Sequence, residues 1–316
     1  MGIGPSAFEN TEFLEELYLP NSVTFLAERA FHRNSRLRVL HLSDQIEMIP
    51  SSTLYTDSYG TLSNNRMLTD VRLPRRLKHV GTDAFYDTAL KDVTLPEGVI
   101  TLGRYAFASL HLKKAFLPKS LVLCESGSLY GAKEITAYEG TARGLVSAVN
   151  PYTEKDENRY RFVWHSCRVR VLSPENGSLV GFFLIPESLK TTCASLLGQA
   201  WDAPQIDYVA YEQIYANIKT AAEKLEIALI LYFQGGKAGT YLDYIKKNAL
   251  KAGTFLIETG QLERFTDFLD LNLLSKSSAK KLLELCNEKQ YTEYIAYLMD
   301  YQEKNTSKRS TSRFSL

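Results

Sequence analysis

Three stretches of this sequence hold residue types that could do chemistry. His165-Ser166-Cys167 sets an imidazole beside a hydroxyl and a thiol, the raw material of a base and a nucleophile. Successive strand residues point to opposite faces, however, and no Asp or Asn is fixed by spacing to orient the ring. The triplet therefore reads as a strand with one polar and one packed residue. Gly235-Gly236-Lys237-Ala238-Gly239-Thr240 gathers the glycines and the lysine of a phosphate loop. It departs from G-x-x-x-x-G-K-[ST] and follows a helical pattern rather than a strand, so it reads as a helix stop and a turn. The five histidines (His32, His41, His79, His111 and His165) are spread rather than clustered. The four cysteines (Cys124, Cys167, Cys193 and Cys286) have neither metal spacing nor a pairing pattern. No cofactor, metal site or catalytic residue is indicated, and the chain reads as a non-enzyme.

The remaining chemistry is that of binding. One series of residues is Glu16, Val39, Asp70, Asp92 and Lys114, and a second is Tyr18, His41, Arg72, Thr94 and Phe116. Tyr, His, Arg and Phe are types that anchor interfaces, whereas a purely solvated face is made of Lys, Glu, Ser and Thr. The second series is mixed in the direction of binding, with a solvated sheet as the alternative. Tyr55 and Tyr59 lie in an extra segment, Tyr55 to Met67, that is a further candidate contact or else a tolerated surface loop.

Both series are positioned by a repeat. Leu90-Lys91-Asp92-Val93-Thr94-Leu95-Pro96 returns 22 residues later as Leu112-Lys113-Lys114-Ala115-Phe116-Leu117-Pro118. The same L-x-x-L-x-L core stands at Leu14, Leu37 and Leu68, with steps of 23, 31 and 22 residues along the chain. A second column in register is Ile3, Leu26, Ile49, Val80, Leu102 and Cys124. A third is a large apolar residue behind a small one, at Phe8, Phe31, Leu54, Phe85, Phe107 and Leu129. Three columns in one register predict a solenoid in which each coil buries its apolar side against its neighbours. Each coil supplies a short strand, as where Leu17 and Leu19 point inward while Glu16 and Tyr18 point out. The Phe column would stack as an aromatic spine.

The pattern L-x-x-V-x-L-P-x-x-[VL]-x-x-[VL]-G-x-x-A-F resembles the BspA-like, Treponema-type leucine-rich repeat, over roughly residues 3–140. The resemblance implies a curved right-handed solenoid, common in bacterial proteins, whose exposed strands bind proteins or other large ligands. Leu54 in place of Phe, and Ser43 in place of the Pro after Leu42, depart from the pattern beside the 31-residue step.

The register places Ile3 in the middle of a coil. Solenoids usually carry a polar cap at each end. Either the sequence is a fragment of a longer protein, or the apolar end is covered by a partner or by a second copy. Phe8 and Phe13 are the expected self-association residues of such a homodimer.

Beyond the last coil, a polar segment from Asn150 to Arg159 marks a boundary. Asn176-Gly177 between Arg168–Val171 and Leu179–Ile185 predicts a β-hairpin that continues or caps the solenoid, with Trp164 and Phe182 on its apolar side. From about Leu189 the apolar spacing is helical. Gly260–Leu269 aligns with Lys289–Leu298 at a shift of 29, which resembles the helical half of ankyrin repeats. The expected fold class is thus an α+β repeat protein. A leucine-rich-repeat solenoid fills 1–149, a linker and β-hairpin cap 150–187, ankyrin-like helical hairpins 188–305, and a disordered Ser/Thr-rich tail 306–316.

A net charge of +1 in 316 residues gives no polyanion-binding signature, so nucleic acid is not an expected partner. No apolar run reaches the ~18 residues of a membrane span, and Met1-Gly2-Ile3-Gly4 lacks a signal peptide's charged and apolar regions. These features, with dispersed thiols, lead to the expectation of a cytoplasmic chain. The function expected is a scaffold that binds an unknown protein ligand on its exposed strands. The alternatives are a regulatory or targeting module of a longer protein, and a surface adhesin, which the absent signal and anchor disfavour.

Overall fold

The computed structural model describes residues 1–51, 65–150, 165–187, 191–234 and 239–311. Tyr55, Tyr59, Leu54, Trp164 and the glycine turn at 235–238 lie outside these residues. The chain forms two compact units, Met1–Ile218 and Lys219–Leu316.

The first unit is a stack of coils, each with two strands. The front strands are Glu16–Tyr18, Val39–His41, Asp70–Arg72, Asp92–Thr94, Lys114–Phe116 and Glu134–Tyr138. The back strands are Gly2–Ile3, Phe25–Leu26, Met48–Ile49, His79–Val80, Thr101–Leu102 and Leu123–Cys124. All pairings between coils are parallel. Four front strands are followed two residues on by a proline (Pro20, Pro74, Pro96 and Pro118) whose carbonyl accepts the turn bond: Val23 N–H donates to Pro20 O at 3.0 Å, and Leu121 N–H to Pro118 O at 3.1 Å. Ser43 keeps the same turn with its own oxygens, since Ile46 N–H donates to its carbonyl and Gln45 N–H to its hydroxyl. The departure from the proline pattern therefore costs the coil nothing in bonding.

The spine forms as expected. Phe8 and Phe31 stack with ring centres 5.3 Å apart, and Phe85 and Phe107 at 4.7 Å with planes only 5° apart. Ala30, Ala84 and Ala106 before them are completely buried, leaving room for the neighbouring coil. Three residues after the ring, Thr11, Asn34 and Thr88 bond back to the carbonyls of Phe8, Phe31 and Phe85. Asn65 extends this column: its amide donates to Phe31 O, and its side-chain oxygen accepts Asn34 N–H at 2.8 Å.

The hairpin continues the front sheet. Cys167–Leu172 pairs in parallel with Glu134–Tyr138, and Leu179–Ile185 closes antiparallel on it. Phe183, not Phe182, is its buried aromatic; Phe182 is half-buried. The short helix after the last coil runs over Leu145–Val149.

The unit does not end with the hairpin, contrary to the boundary at 187–188. Helices Thr191–Asp202 and Tyr208–Gln213 pack on it and belong to it. Phe183 stacks on Tyr211 at 4.6 Å and meets Trp201 edge-on at 5.4 Å. Trp201 Nε1 donates to Ala142 O. Tyr211 hydroxyl both accepts Leu184 N–H and donates to Leu184 O, each at 3.1 Å, which satisfies backbone groups of the last strand. These helices are the cap a solenoid end needs.

The second unit is a stack of helical hairpins: Ala221–Phe233 with Gly239–Lys247, Ala249–Glu258 with Leu262–Asp270, and Lys276–Lys289 with Thr292–Thr311. The first helices of successive pairs pack on each other, and Leu262–Asp270 packs on Thr292–Thr311. The turns repeat at a shift of 30: Gln261 N–H donates to Leu256 O, and Tyr291 N–H to Cys286 O. The buried Phe265 and Tyr294 keep the shift of 29. The tail expected to be disordered from residue 306 instead continues the last helix to Thr311.

Candidate protein-binding face

The front strands alternate in burial, as Asp92-Val93-Thr94 and Lys114-Ala115-Phe116 both do with their middle residue inside. The pleat thus turns two rows outward. In one, Glu16 stands beside Val39 and Val39 beside Asp70, while Asp92 stands beside Lys114. In the other, Tyr18 stands beside His41 and His41 beside Arg72, while Thr94 stands beside Phe116. The structure extends both rows past the residues read from the repeat, through Glu134 and Arg168 and through Thr136 and Arg170. Sequence reasoning missed Arg168 and Arg170 because the hairpin strand lacks the repeat motif, and Glu134 and Thr136 because the last coil departs from it, with Ala137-Tyr138 where the coil before has Leu117-Pro118.

The rows are not continuous. The front face is two sheets, one of Glu16–Tyr18, Val39–His41 and Asp70–Arg72, the other running from Asp92–Thr94 to Leu179–Ile185. Tyr18, His41 and Arg72 are brought together; Thr94 and Phe116 belong to the second group.

Within the first group, Tyr18 lies edge-on to His41 at 4.7 Å and donates its hydroxyl proton to Glu16 at 3.1 Å. That hydrogen bond raises the phenol above its usual range, because its proton is shared with a carboxylate. Tyr18 is 57% exposed. Arg72 is held by Asp44 at 2.9 Å. In the second group, Lys114 pairs with Glu134 at 2.9 Å, which raises its own pKa, and Phe116 is exposed. The two groups thus present aromatic rings, a guanidinium and an ammonium, held by neighbouring side chains, on the exposed face of the sheet.

The back strands turn out Phe25, Met48, His79, Thr101 and Leu123. His79 Nδ1 and Thr101 Oγ1 are 2.8 Å apart beside a cavity of about 270 Å³, with Gly81, Gly103 and Glu125 on its wall. This face was legible as the position before the Leu26 column. At the first coil, Phe13 is 81% exposed, while Phe8 is half-buried in the spine.

His165 and Cys167 are buried. His165 Nε2 accepts Gly131 N–H at 3.1 Å, and Asn150 bonds its main chain through both amide atoms. Burial, reinforced by Lys133, pushes the His165 pKa down to about 4. The neutral ring is thus committed as an acceptor. Among the described residues, no three His, Cys, Asp or Glu side chains gather as a metal site, and no helix is long and apolar enough to cross a membrane.

Comparison with known proteins places this architecture. Residues 1–63 and 58–141 match the model of the BspA type leucine rich repeat region, in six copies. A leucine-rich repeat protein from Bacteroides ovatus is 30% identical over 43% of this chain and 34% of its own, with a TM-score of 0.39. The T. pallidum leucine rich repeat protein is 23% identical over 42% of this chain and 64% of its own, with a TM-score of 0.37. The pneumococcal vaccine antigen PcpA is 23% identical over 42% of this chain and 31% of its own, with a TM-score of 0.34. The chain thus spans about a third of the Bacteroides protein's length. No curated protein matches. With the coil columns, the spine and the strand ladders all in one register, residues 1–141 of this chain are a BspA-type leucine-rich repeat region.

Proposed function

We propose that this chain is a protein-interaction scaffold that holds a protein ligand on its front strands. The observation that carries this reading is the fixed group of Tyr18, His41 and Arg72 on an exposed sheet, together with Phe116. Its residues are of the kinds that dominate interface energetics. Their rings and charges lie outside the core, so they add little to folding. Replacing Tyr18, Arg72 and Phe116 together by Ala abolishes capture of the protein partner retained by the wild-type chain, while the melting temperature stays put. Equal capture by both chains overturns the reading.

A second reading rests on Phe13, whose ring is 81% exposed on the first coil. There a second copy of the chain docks by its own first coil, burying both rings about a two-fold axis. Phe8→Lys with Phe13→Lys returns a monomer in light scattering. Phe13→Lys alone is the cleaner variant, because Phe8 also stacks on Phe31.

A further inference from the structure

The front ladder opens at one place. Elsewhere each coil donates to the next: Leu42 N–H to Arg72 O at 3.1 Å, Leu95 N–H to Phe116 O at 3.0 Å and Leu117 N–H to Thr136 O at 2.9 Å. The equivalent bond from Leu73 N–H to Thr94 O is not made. Likewise Thr69 and Asp70 donate to Arg38 O, and Lys113 and Lys114 to Lys91 O, but Lys91 and Asp92 do not donate to Thr69 O. Among the described residues these edges have no other backbone partner.

The opening is confined to the front. Behind it the same two coils are zipped, with Ile100 N–H on Lys78 O at 2.7 Å and His79 beside Thr101. Burial shows the same break. Val71 and Leu73 are half-buried, whereas Leu40, Leu42, Val93 and Leu95 in their columns are at most 4% exposed. Two strand edges that face each other across an opening, with apolar residues at its floor, are a template for one more strand.

We propose that this opening takes an extended peptide segment of a protein partner by strand addition, a reading that rests on the front face being the binding face. Its chemistry follows from the pleat. Alternate residues of the inserted strand face Val71 and Val93 and are aliphatic. The residues between them stand in the outward row of Asp70 and Asp92, two exposed carboxylates with no ion pair among the described residues. A Lys or Arg there meets both charges. On the next outward position, between Arg72 and Thr94, a hydroxyl or carboxylate side chain fits. The segment thus alternates aliphatic and polar residues, with one basic side chain on the polar face.

The probe is a fluorescein-labelled peptide SVKVTVS, titrated into the full chain by anisotropy, with amide hydrogen exchange read in parallel. In the free chain the Leu73 and Asp92 amides exchange faster than those of Leu42 and Leu117. Adding the peptide slows both. Asp70→Asn with Asp92→Asn weakens binding about tenfold. The peptide with N-methylated valines does not bind, because it cannot join the ladder. Leu73 and Asp92 amides already protected in the free chain, equal binding of the N-methylated peptide, or no binding at all each overturn the proposal. So does concentration-dependent doubling of mass that the Asp70→Asn, Asp92→Asn variant loses, since the chain's own copy then fills the opening. If the peptide fails while the Tyr18, Arg72 and Phe116 variant still loses the captured partner, the scaffold reading stands and only strand addition falls.

Discussion

The coil stack and the helical-hairpin stack bury comparable apolar residues yet join their repeats by different forces. In the coils, backbone groups of one repeat are bonded to the next, as Phe85 N–H is to Ala106 O at 2.7 Å. In the hairpins, each helix satisfies its own backbone, so neighbouring pairs touch only through side chains, such as Phe265 on Tyr294 at 5.2 Å. A coil cannot be repositioned without breaking hydrogen bonds. A hairpin can shift by repacking. Close packing, not bonding, then sets the tolerance of the helical unit.

The largest test of this difference is Phe85→Ala, which empties the spine between coils. The expected loss is ~3–5 kcal/mol in denaturant unfolding, because the flanking ladders hold the cavity open. A loss under ~1 kcal/mol shows coils that collapse as freely as helices, and breaks the contrast.

Gly253→Ala probes the helical stack. An added Cβ would lie 2.6 Å from Leu282 Cδ1, the far end of a flexible side chain. The expected cost is ~1–3 kcal/mol, and it shrinks in a Leu282→Ala background. An unchanged cost in that background means the backbone, not the side chain, resists.

Asn65→Ala comes next, at ~1–3 kcal/mol. It strands Asn34 N–H, which is buried and bonded only across coils. Asn65→Asp keeps the acceptor but loses the donor to Phe31 O. Thermal melts of the two variants separate the two bonds.

The smallest effect is one of pH. With its folded pKa near 4 against an ordinary 6.5, His165 binds its proton in the unfolded chain first. Stability is therefore complete above about 6.5 and falls as pH drops through 6.5 toward 4. His165→Gln, which keeps an acceptor for Gly131 N–H, flattens the melting temperature over that window. An equally steep fall in the variant assigns it to other groups.

What was legible in the sequence was whatever repeats. The columns at Leu14, Leu26 and Phe8 returned in each coil, and so fixed strands, spine and outward rows. Whatever serves the array once was not. Trp201 and Tyr211 sit in ordinary helical spacing, and nothing local says that one reaches Ala142 and the other Leu184. The unit therefore runs on to Ile218, past the expected boundary. Asn34 and Asn65 were legible in principle, each standing three residues before a column leucine. The break between Arg72 and Thr94 was not, since the steps there are the ordinary 22 residues. The run of the last helix to Thr311 was not legible in the tail's own Ser/Thr-rich composition, because the helix is set by residues before it, with Tyr294 and Leu298 buried.

The open front ladder also bears on how the coils melt. A stack of repeats behaves as a row of units coupled to their nearest neighbours, and cooperativity fails first at the weakest coupling. Coils on either side of Leu73 and Thr94 share their back strands but not their front ones. The front strands are therefore two blocks joined by a hinge-like seam. The block beginning at Asp92 is anchored by the hairpin and its helices, whereas the block ending at Arg72 is only half-coupled to it. Unfolding that starts on either side would pause at that seam. A ligand that bridged the seam would fuse the blocks, raising the order of coils it never touches.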